Sequence, residues 1–324
     1  MAFEFSYSSE TDAGIFFHRH VEVDGLGLIT VDAATLAGCR DPGDPQKPNE
    51  DAFSIIGDDG SLVAAVFDGA SSQKPIPELD RISGARFASH TLKELIESSP
   101  LGTDVRATLN GLNVALGERL RRFQSVDCTD LNSLPTSTAT IARFDGRSNT
   151  LSTAHVGDSF VMVLGVDGGT KLLTNNLHRR FDEQVLTLVH RIAVERGITP
   201  REAGVDERVR TAIMNMFQWT RNRPDGTGEG MVNGDPNMSR YIHVASLSFS
   251  GVRAVLLGSD GLVPPDMDER NHDDMRRLFD IAHRDGVVGL ISHTRQVEDD
   301  DPERWHIRYK HSDDATGILV TRSI

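Results

Sequence analysis

The sequence predicts an α+β fold in which two antiparallel β-sheets form a sandwich with α-helices on its outer faces. Strand-like runs come in groups separated by tight-turn signals, and helical segments come in blocks between those groups. In a doubly wound parallel sheet, strands and helices would alternate one for one, so this order favours the antiparallel sandwich. The 324 residues contain no internal repeat and no convincing linker. We therefore expect a single domain over residues 1–324, with a helical insert and flap at about 175–238.

The first part of the chain contains three strand-like segments followed by two helices. The strands fall at 27–32, 52–56 and 62–67, and a Gly-Asp-Asp-Gly hairpin turn separates the last two. One helix is expected at about 80–97. In the next, apolar residues recur at three- and four-residue steps as far as Leu120, which is typical of a helix with one buried face.

The second part returns to strands and is interrupted by helices. Strands are expected from 138 to 174, divided by two Asp-Gly turns, and 178–217 is helical. Within it, Thr199 caps a helix and Glu202 closes a capping box. The Gly- and Asn-rich stretch 221–237 predicts a mobile loop. The remaining elements are strands at 241–249 and 252–257, a helix at about 268–284 and a last strand at 315–321.

Composition excludes several classes of partner. The formal net charge is −14, which would repel a nucleic-acid backbone or an anionic membrane, so we expect neither as a partner. An anionic substrate would need local cations, either metal ions or arginine side chains. The two cysteines, Cys39 and Cys128, are too few for a disulfide framework. No segment has the pattern of a secretory signal or the length of a membrane span, so we expect a cytoplasmic protein.

Two aspartates stand out because each follows a nearly continuous apolar run and precedes a glycine. Asp68 follows 62–67, and Asp260 lies just after 252–257. The other Asp-Gly pairs read as ordinary tight turns. A carboxylate at the end of a strand that is buried on both faces would direct its oxygens into a cleft, where they could bind a metal ion. An aspartate that merely ends a strand in a turn explains the same pattern, so the two interpretations are equally supported at this point.

Further acidic pairs precede two more strands. Glu50 and Asp51 come before 52–56, and Asp313 and Asp314 come before 315–321. If these strands are neighbours, their ends form an all-oxygen site, which suits Mg²⁺ or Mn²⁺ rather than zinc or copper. The alternative is that acidic residues lie at strand ends because they are soluble there.

Six short motifs, taken in order, resemble those of the PP2C (PPM) family of metal-dependent protein phosphatases, in its bacterial type. They are Asn49-Glu50-Asp51-Ala52, Val66-Phe67-Asp68-Gly69, Ser137-Thr138-Ala139, His155-Val156-Gly157-Asp158-Ser159, Gly258-Ser259-Asp260-Gly261-Leu262 and Asp313-Asp314-Ala315-Thr316. The resemblance implies the αββα sandwich of that family and hydrolysis of phosphoserine or phosphothreonine in a phosphoprotein substrate. A metal-activated water would attack the phosphorus in line, without a phosphoenzyme.

The resemblance also implies two Mn²⁺ or Mg²⁺ ions and a more weakly bound third. Asp68 would bridge the first two, and the carbonyl of Gly69 would bind one of them. The remaining roles fall to four residues: Asp260 and Asp313 on the first ion, Glu50 on the second, and Asp51 orienting a bound water. Asp158 would join Asp260 on the third ion, although a plain turn residue in Gly-Asp-Ser is the alternative reading.

The chain departs from the family pattern at the substrate phosphate. Gln46 stands where relatives carry a phosphate-binding arginine, which leaves Lys47 and Arg40 as substitutes. Ala70 replaces a histidine that many eukaryotic members carry. The missing arginine motivates an alternative function, a catalytically impaired regulatory module that binds a phosphoprotein or another partner. A third reading keeps the same metal site but acts on small phosphoesters.

Two features of the later chain have open interpretations. Trp219, Arg221 and Arg223 are candidate contacts for a phosphopeptide, although a tryptophan at a helix end is more often part of a core. The acidic run at 298–301 is interpreted as a solvated loop rather than an extra metal site.

Overall fold

The structure is a computed structural model of the chain. It describes residues 3–4, 9–11, 14–41, 47–58, 60–70, 76–99, 102–131 and 133–322. Within these ranges the strands are β1 (Phe3–Glu4), β2 (Ser9–Thr11), β3 (Gly14–Val23), β4 (Gly27–Leu36), β5 (Ala52–Asp58), β6 (Ser61–Phe67), β7 (Gly69–Ala70), β8 (Thr136–Ser137), β9 (Ala139–Asp145), β10 (Thr150–Val156), β11 (Phe160–Gly165), β12 (Thr170–Leu172), β13 (His243–Ser248), β14 (Val252–Gly258) and β15 (Ala315–Arg322). The helices are α1 (Gly84–Ser98), α2 (Val105–Leu120), α3 (Arg179–Arg196), α4 (Pro200–Ala203), α5 (Glu207–Thr220) and α6 (His272–Asp299). Short 3₁₀ turns lie at Pro77–Leu79, Pro236–Tyr241, Phe249–Gly251 and Asp260–Leu262.

The strands form two large sheets and one small one. The first sheet has the order β1-β5-β6-β9-β10-β13, and the second has the order β12-β11-β14-β15-β4-β3-β2. Strands β7 and β8 form a two-stranded ribbon. Neighbouring strands in both large sheets pair antiparallel. The predicted antiparallel architecture is therefore confirmed.

Three apolar layers hold the sandwich together. The inner layer lies between the sheets and includes Phe53 and Val66 from the first sheet and Ile318 from the second. An outer layer packs α1 and α2 against the first sheet, as at Leu92 and Leu116. The opposite outer layer packs α6 against the second sheet. Because large apolar side chains are removed from water in every layer, burial fixes the order helix, sheet, sheet, helix.

The helices α3, α4 and α5 lie in the segment predicted to be helical and have a small core of their own. Its members are apolar side chains spaced along the three helices: Val185, Val189, Ile192, Ala193, Ala203 and Val209. The capping box at Thr199 and Glu202 is present at the start of α4. Tyr309, which precedes β15, donates a hydrogen bond from its hydroxyl to Asp182 Oδ1 at 3.1 Å. This contact links α3 to the segment that leads into β15.

Several predicted elements need correction. The helix predicted at 268–284 extends to Asp299, and strand β3 was not predicted. The acidic run at 298–301 is not a solvated loop, because α6 includes its first two residues and both Glu298 and Asp301 are buried. Arg295 and Arg308 pair with these two carboxylates, which makes their burial tolerable.

The loop predicted at 221–237 is irregular, as expected, but much of it is packed against the sandwich. Val232 exchanges backbone hydrogen bonds with Ser137, and Asn222 is buried. In the described part of the chain, no helix is long and apolar enough to cross a membrane.

Candidate metal centre

Carboxylates from both sheets lie at the same end of the sandwich. In the first sheet Ala52 pairs with Phe67, so Asp51 and Asp68 flank the same pair of strand ends. In the second sheet Gly258 pairs with Gly317, which places Asp260 close to the start of β15 and its preceding acidic pair. The expectation that these strands are neighbours is confirmed, and the antiparallel register is what brings the four strand ends together.

Asp158 lies between the two sheets. It occupies the connection from β10, in the first sheet, to β11, in the second. The preceding Gly157 has φ 100° and lies against Thr138, where a Cβ would come within 2.6 Å of that side chain. Glycine is required there, because other residues rarely adopt that φ and lack the space.

The backbone around Asp68 is anchored from two sides. Its carbonyl accepts hydrogen bonds from Thr138 N at 2.8 Å and Ser137 Oγ at 2.9 Å. A Cβ on Gly69 would lie 2.6 Å from the carbonyl oxygens of Ala85 and Glu50. Helix α1 therefore packs directly against the strand end, and this close approach needs glycine at position 69.

Asp314 braces the loop that carries Glu50. Its two carboxylate oxygens accept hydrogen bonds from Gly38 N at 2.7 Å and Glu50 N at 2.8 Å. Ser89 on α1 donates to the Glu50 carbonyl at 2.5 Å. Sequence reasoning noted Asp314 as acidic but gave it no role. Its role in the structure is to hold the end of β4 and the loop before β5 against the start of β15.

Asp51 is buried and only half satisfied. Ser259 Oγ donates to Asp51 Oδ2 at 2.7 Å, and that hydroxyl in turn accepts from Thr316 N at 3.0 Å. The other oxygen, Oδ1, is buried and makes no hydrogen bond within the described structure, and the same holds for Oδ1 of Asp158. Buried acceptors are nearly always paired, so these two oxygens indicate a missing donor or cation.

The carboxylates of the centre perturb one another. Burial and the charges of neighbouring aspartates raise the pKa of Asp68 well above its usual range, and they raise the pKa of Asp51 to about 7. Desolvation and the charges of Asp313 and Asp158 raise the pKa of Asp260, even though its side chain reaches solvent. Burial likewise raises the pKa of Asp158. Several negative charges thus converge without enough protein cations to balance them.

Asp313 is the exception, because a lysine neutralises it. Lys310 donates to Asp313 Oδ1 and forms an ion pair with it. Although burial opposes the effect, Lys310 lowers the pKa of Asp313. Lys47, a candidate phosphate ligand, is similarly engaged: its Nζ lies 2.6 Å from Glu50 Oε2 and 3.3 Å from Asp314 Oδ2.

Arg40, the other candidate phosphate ligand, is exposed beside the centre. Its carbonyl is held by His311 N at 2.8 Å and by Arg304 Nη2 at 2.6 Å. Its side chain is solvent exposed, and none of the described residues forms an ion pair with it. Gln46, which stands at the position of the family's phosphate-binding arginine, lies outside the described residues.

A histidine and a second aspartate adjoin Asp158. Ligand atoms of Asp158, His178 and Asp182 all lie within 4.8 Å of one another. Among the described residues, these three side chains are the ones close enough together to hold one metal ion. Asp68, Asp260 and Asp313 do not form such a group. His178 Nδ1 hydrogen-bonds Glu229, and its Nε2 lies 3.3 Å from Asp182 Oδ1. Although burial opposes the effect, Asp182 and Asp158 raise the pKa of His178.

Sequence reasoning missed His178, Asp182 and Glu229. The available signal was a histidine and an aspartate four positions apart at the start of a helix, which places both on one face. Glu229 lies far along the chain, and no local pattern connects it to His178.

The candidate peptide contacts differ in accessibility. Trp219 is 62% exposed, so it is not part of a core. Arg221 is buried to 1% exposure over the Phe217 ring and makes no hydrogen bond through its guanidinium in the described structure. Arg223 is paired with Asp225. Of the three, Trp219 is the most exposed side chain.

The residues present fit a divalent metal centre. The donors are carboxylate and carbonyl oxygens, the set that Mg²⁺ and Mn²⁺ prefer, and two buried carboxylate oxygens lack partners. The two antiparallel sheets, the helices on their outer faces and this acidic centre together define a fold with a candidate divalent-metal site at one end.

The profile of the family described as Protein phosphatase 2C matches residues 44–288. The chain belongs to that family. Family membership and the fold support a metal-dependent protein phosphatase.

Solved structures share the fold at low sequence identity. The serine/threonine phosphatase Stp1 from Staphylococcus aureus is 18% identical, with a TM-score of 0.53, and the match covers 94% of this chain and 99% of that one. RsbX, solved with magnesium, is 14% identical with a TM-score of 0.51, covering 95% and 100%. Mycobacterium tuberculosis PstP/Ppp is 17% identical with a TM-score of 0.50, covering 91% and 99%. The comparison with curated proteins gave no match.

Proposed function

We propose that this protein hydrolyses phosphoserine and phosphothreonine in protein substrates with two Mn²⁺ or Mg²⁺ ions. The observation that carries the proposal is the convergence of Asp51, Asp68, Asp158, Asp260 and Asp313 at one end of the sandwich, with raised pKa values at four of them. Carboxylates so arranged are destabilised unless a cation binds between them.

Each residue has a proposed role. Asp68 and the Gly69 carbonyl bind the ions at the end of β6, and Asp260 and Asp313 bind from the second sheet. Glu50 approaches from the loop that Asp314 braces. Ions held by these residues would supply a water molecule of lowered pKa and positive charge to stabilise the phosphoryl oxygens. Asp51, fixed by Ser259, orients that water through its free oxygen.

Asp158 has a proposed role on a third ion, together with Asp260. Its neighbours His178 and Asp182 lie close enough to contribute to the same position. Glu229 accepts from His178 Nδ1, which leaves Nε2 facing Asp182. A carboxylate behind a histidine is the usual way in which proteins orient a histidine ligand.

Arg40 and Lys47 are proposed to bind the substrate phosphate. Arg40 is better suited, because its guanidinium is exposed and offers a fork of donors, whereas Lys47 is held by Glu50 and Asp314. We expect Arg40→Ala to raise KM for a phosphopeptide more than it lowers kcat.

The test is hydrolysis of p-nitrophenyl phosphate and of a phosphothreonine peptide with Mn²⁺, with Mg²⁺ and with EDTA. Metal-dependent turnover of both substrates is expected. Asp68→Asn should reduce it more than about 100-fold, because losing even an outer partner of a ligand costs about 10–100-fold. This variant relieves charge crowding, so its thermal unfolding midpoint should not fall. Retained turnover in Asp68→Asn would exclude the proposed metal mechanism.

A regulatory module that binds a phosphoprotein is the second candidate. The observation in its favour is that Lys47 and Lys310 already neutralise Glu50 and Asp313. Calorimetric binding of Mn²⁺ without turnover of either substrate would favour this candidate over the enzyme.

A further inference from the structure

A cavity of about 270 Å³ opens between α1, α2 and the outer face of the first sheet. Its walls are mainly aliphatic: Val63, Leu95, Ile96, Val105, Leu112 and Ile141. Val63 lies on β6 and Asp68 follows directly after its last residue, five extended positions and therefore about 16 Å further on, so the cavity is separate from the candidate metal centre.

The base of this apolar cavity contains an arginine. Arg143 lies on β9 opposite Val63 of β6 and is only 7% exposed. Its Nη2 makes a long hydrogen bond of 3.4 Å to Asp145 Oδ2. Its Nε and Nη1 are buried and have no hydrogen-bond partner in the described structure. Buried donors without acceptors are costly, so this geometry calls for an acceptor that the protein does not supply.

Other polar groups of the cavity do not meet this need. Ser99 Oγ donates to the Leu95 carbonyl at 2.7 Å, and Thr108 Oγ1 donates to the Asp104 carbonyl at 3.0 Å. Both hydroxyl protons are therefore used within the helices, and neither hydroxyl oxygen accepts from Nε or Nη1 of Arg143, which have no hydrogen-bond partner in the described structure. Arg143 Nη2 forms an ion pair with Asp145, so the feature left to recognise a ligand is the pair of unpartnered donors on Nε and Nη1 of this cationic side chain.

We propose that the cavity binds a small organic carboxylate with an apolar body, such as a medium-chain fatty acid. A carboxylate accepts two parallel N–H bonds from a guanidinium, and the aliphatic walls remove the apolar body from water. The volume lies just below the range of about 300–1,000 Å³ that is usual for drug-sized ligands, which limits the ligand to a small molecule.

The experiment is calorimetric titration of the whole protein with octanoate and, separately, with octanamide. Octanoate should bind saturably at one site. Octanamide has the same body without the charge and should bind at least about tenfold more weakly, as expected for loss of a charged hydrogen bond. Absence of saturable octanoate binding, or equal binding of the two ligands, would overturn the proposal.

Two variants locate the site. Arg143→Gln should weaken octanoate binding at least about tenfold for the same reason. If that variant does not fold, Gly111→Leu is decisive. Gly111 lines the cavity and is itself exposed, and a Cβ there meets no atom within 4 Å, so leucine can be placed at the cavity opening without a clash. Val114→Leu, on the exposed face of the same helix, is the matched control. Gly111→Leu should lose binding and Val114→Leu should keep it; unchanged binding in Gly111→Leu contradicts the assignment.

Discussion

Two lysines determine the charge balance at the candidate metal centre. Lys310 pairs with Asp313, and Lys47 pairs with Glu50. The negative charges of Asp313 and its neighbours raise the pKa of Lys310, so both lysines are cations across the physiological pH range. If Glu50 and Asp313 bind metal as proposed, each ammonium would compete with the ion for the same carboxylate oxygens.

Lys310→Met should therefore tighten Mn²⁺ binding. Removing a positive charge about 4 Å from the site changes the interaction by about 1 kcal/mol in water and more in a partly buried site, so we expect roughly tenfold higher affinity. Calorimetric titration with Mn²⁺ measures it, and Lys171→Met, an exposed lysine on β12, is the control. Weaker binding by Lys310→Met would show instead that the lysine is needed to orient Asp313.

His155 makes the stability of the protein depend on pH. It is buried against His243, and Nε2 contacts the Asn175 carbonyl at 3.0 Å. Burial and the proximity of His243 lower the pKa of His155 to about 4 from 6.5. The unfolded chain therefore takes up this proton first. As the pH falls from 6.5 to 4, the folded state loses up to about 3 kcal/mol of stability through this residue.

The change that tests this effect is His155→Gln, which keeps a donor for the Asn175 carbonyl but does not titrate. Denaturant unfolding at several pH values should show a shallower loss of stability below pH 6.5 than in the natural protein. His272→Gln, at an exposed histidine, should leave the slope unchanged. An identical slope in His155→Gln would show that this histidine has the same pKa in the folded and unfolded protein.

At the scale of elements, α6 consists of two helical segments joined at Gly286. That residue has φ 74° and ψ 176°, which interrupts the helical backbone. Asp32 on β4 accepts from Val287 N at 2.9 Å and so caps the second segment. The helix predicted at about 268–284 ends close to this interruption, but the tertiary cap from Asp32 restarts the helix, and no local pattern reveals such a cap.

Gly286→Ala should destabilise the protein by about 1–2 kcal/mol, because an L-residue is strained at this positive φ. A Cβ there would also lie 3.2 Å from Asp32 Oδ2. Gly111→Ala is the matched control: it lies in regular helix with open space, and alanine should stabilise it by roughly 0.5–1 kcal/mol. Thermal or denaturant unfolding distinguishes the two, and equal stability of both variants would exclude strain at Gly286.

The strand ends of the centre were predictable from the sequence, but their supporting contacts were not. Apolar runs ending in Asp68 and Asp260 identify strands buried on both faces, and the fold then brings their ends together. Asp314, Lys310 and His178 act through partners that are distant in the sequence or in another layer, so no local periodicity identifies them. The insert was recognised as helical, yet its link to Asp158 depends on tertiary packing.

For the whole molecule, the net charge of −14 sets the conditions under which a substrate approaches. Long-range repulsion disfavours acidic peptides, whereas basic segments are attracted before they reach the centre. This electrostatic effect acts on the association of substrate with the protein, so it should appear in kcat/KM. Added salt should weaken it, because charges further apart than about 3 Å are screened from each other at 1 M salt.

Two phosphothreonine peptides that differ only in lysine or glutamate flanking residues test this effect. At low ionic strength the lysine-flanked peptide should have a kcat/KM on the order of tenfold higher, since charged clefts change association rates by about 10–1,000-fold. The ratio should approach one as salt is added, while p-nitrophenyl phosphate, which has no flanking charges, should respond much less. A preference that persists at high salt would instead indicate direct contacts with the flanking residues, and a preference for the glutamate-flanked peptide would show that local cations such as Arg40 outweigh the molecule's overall charge.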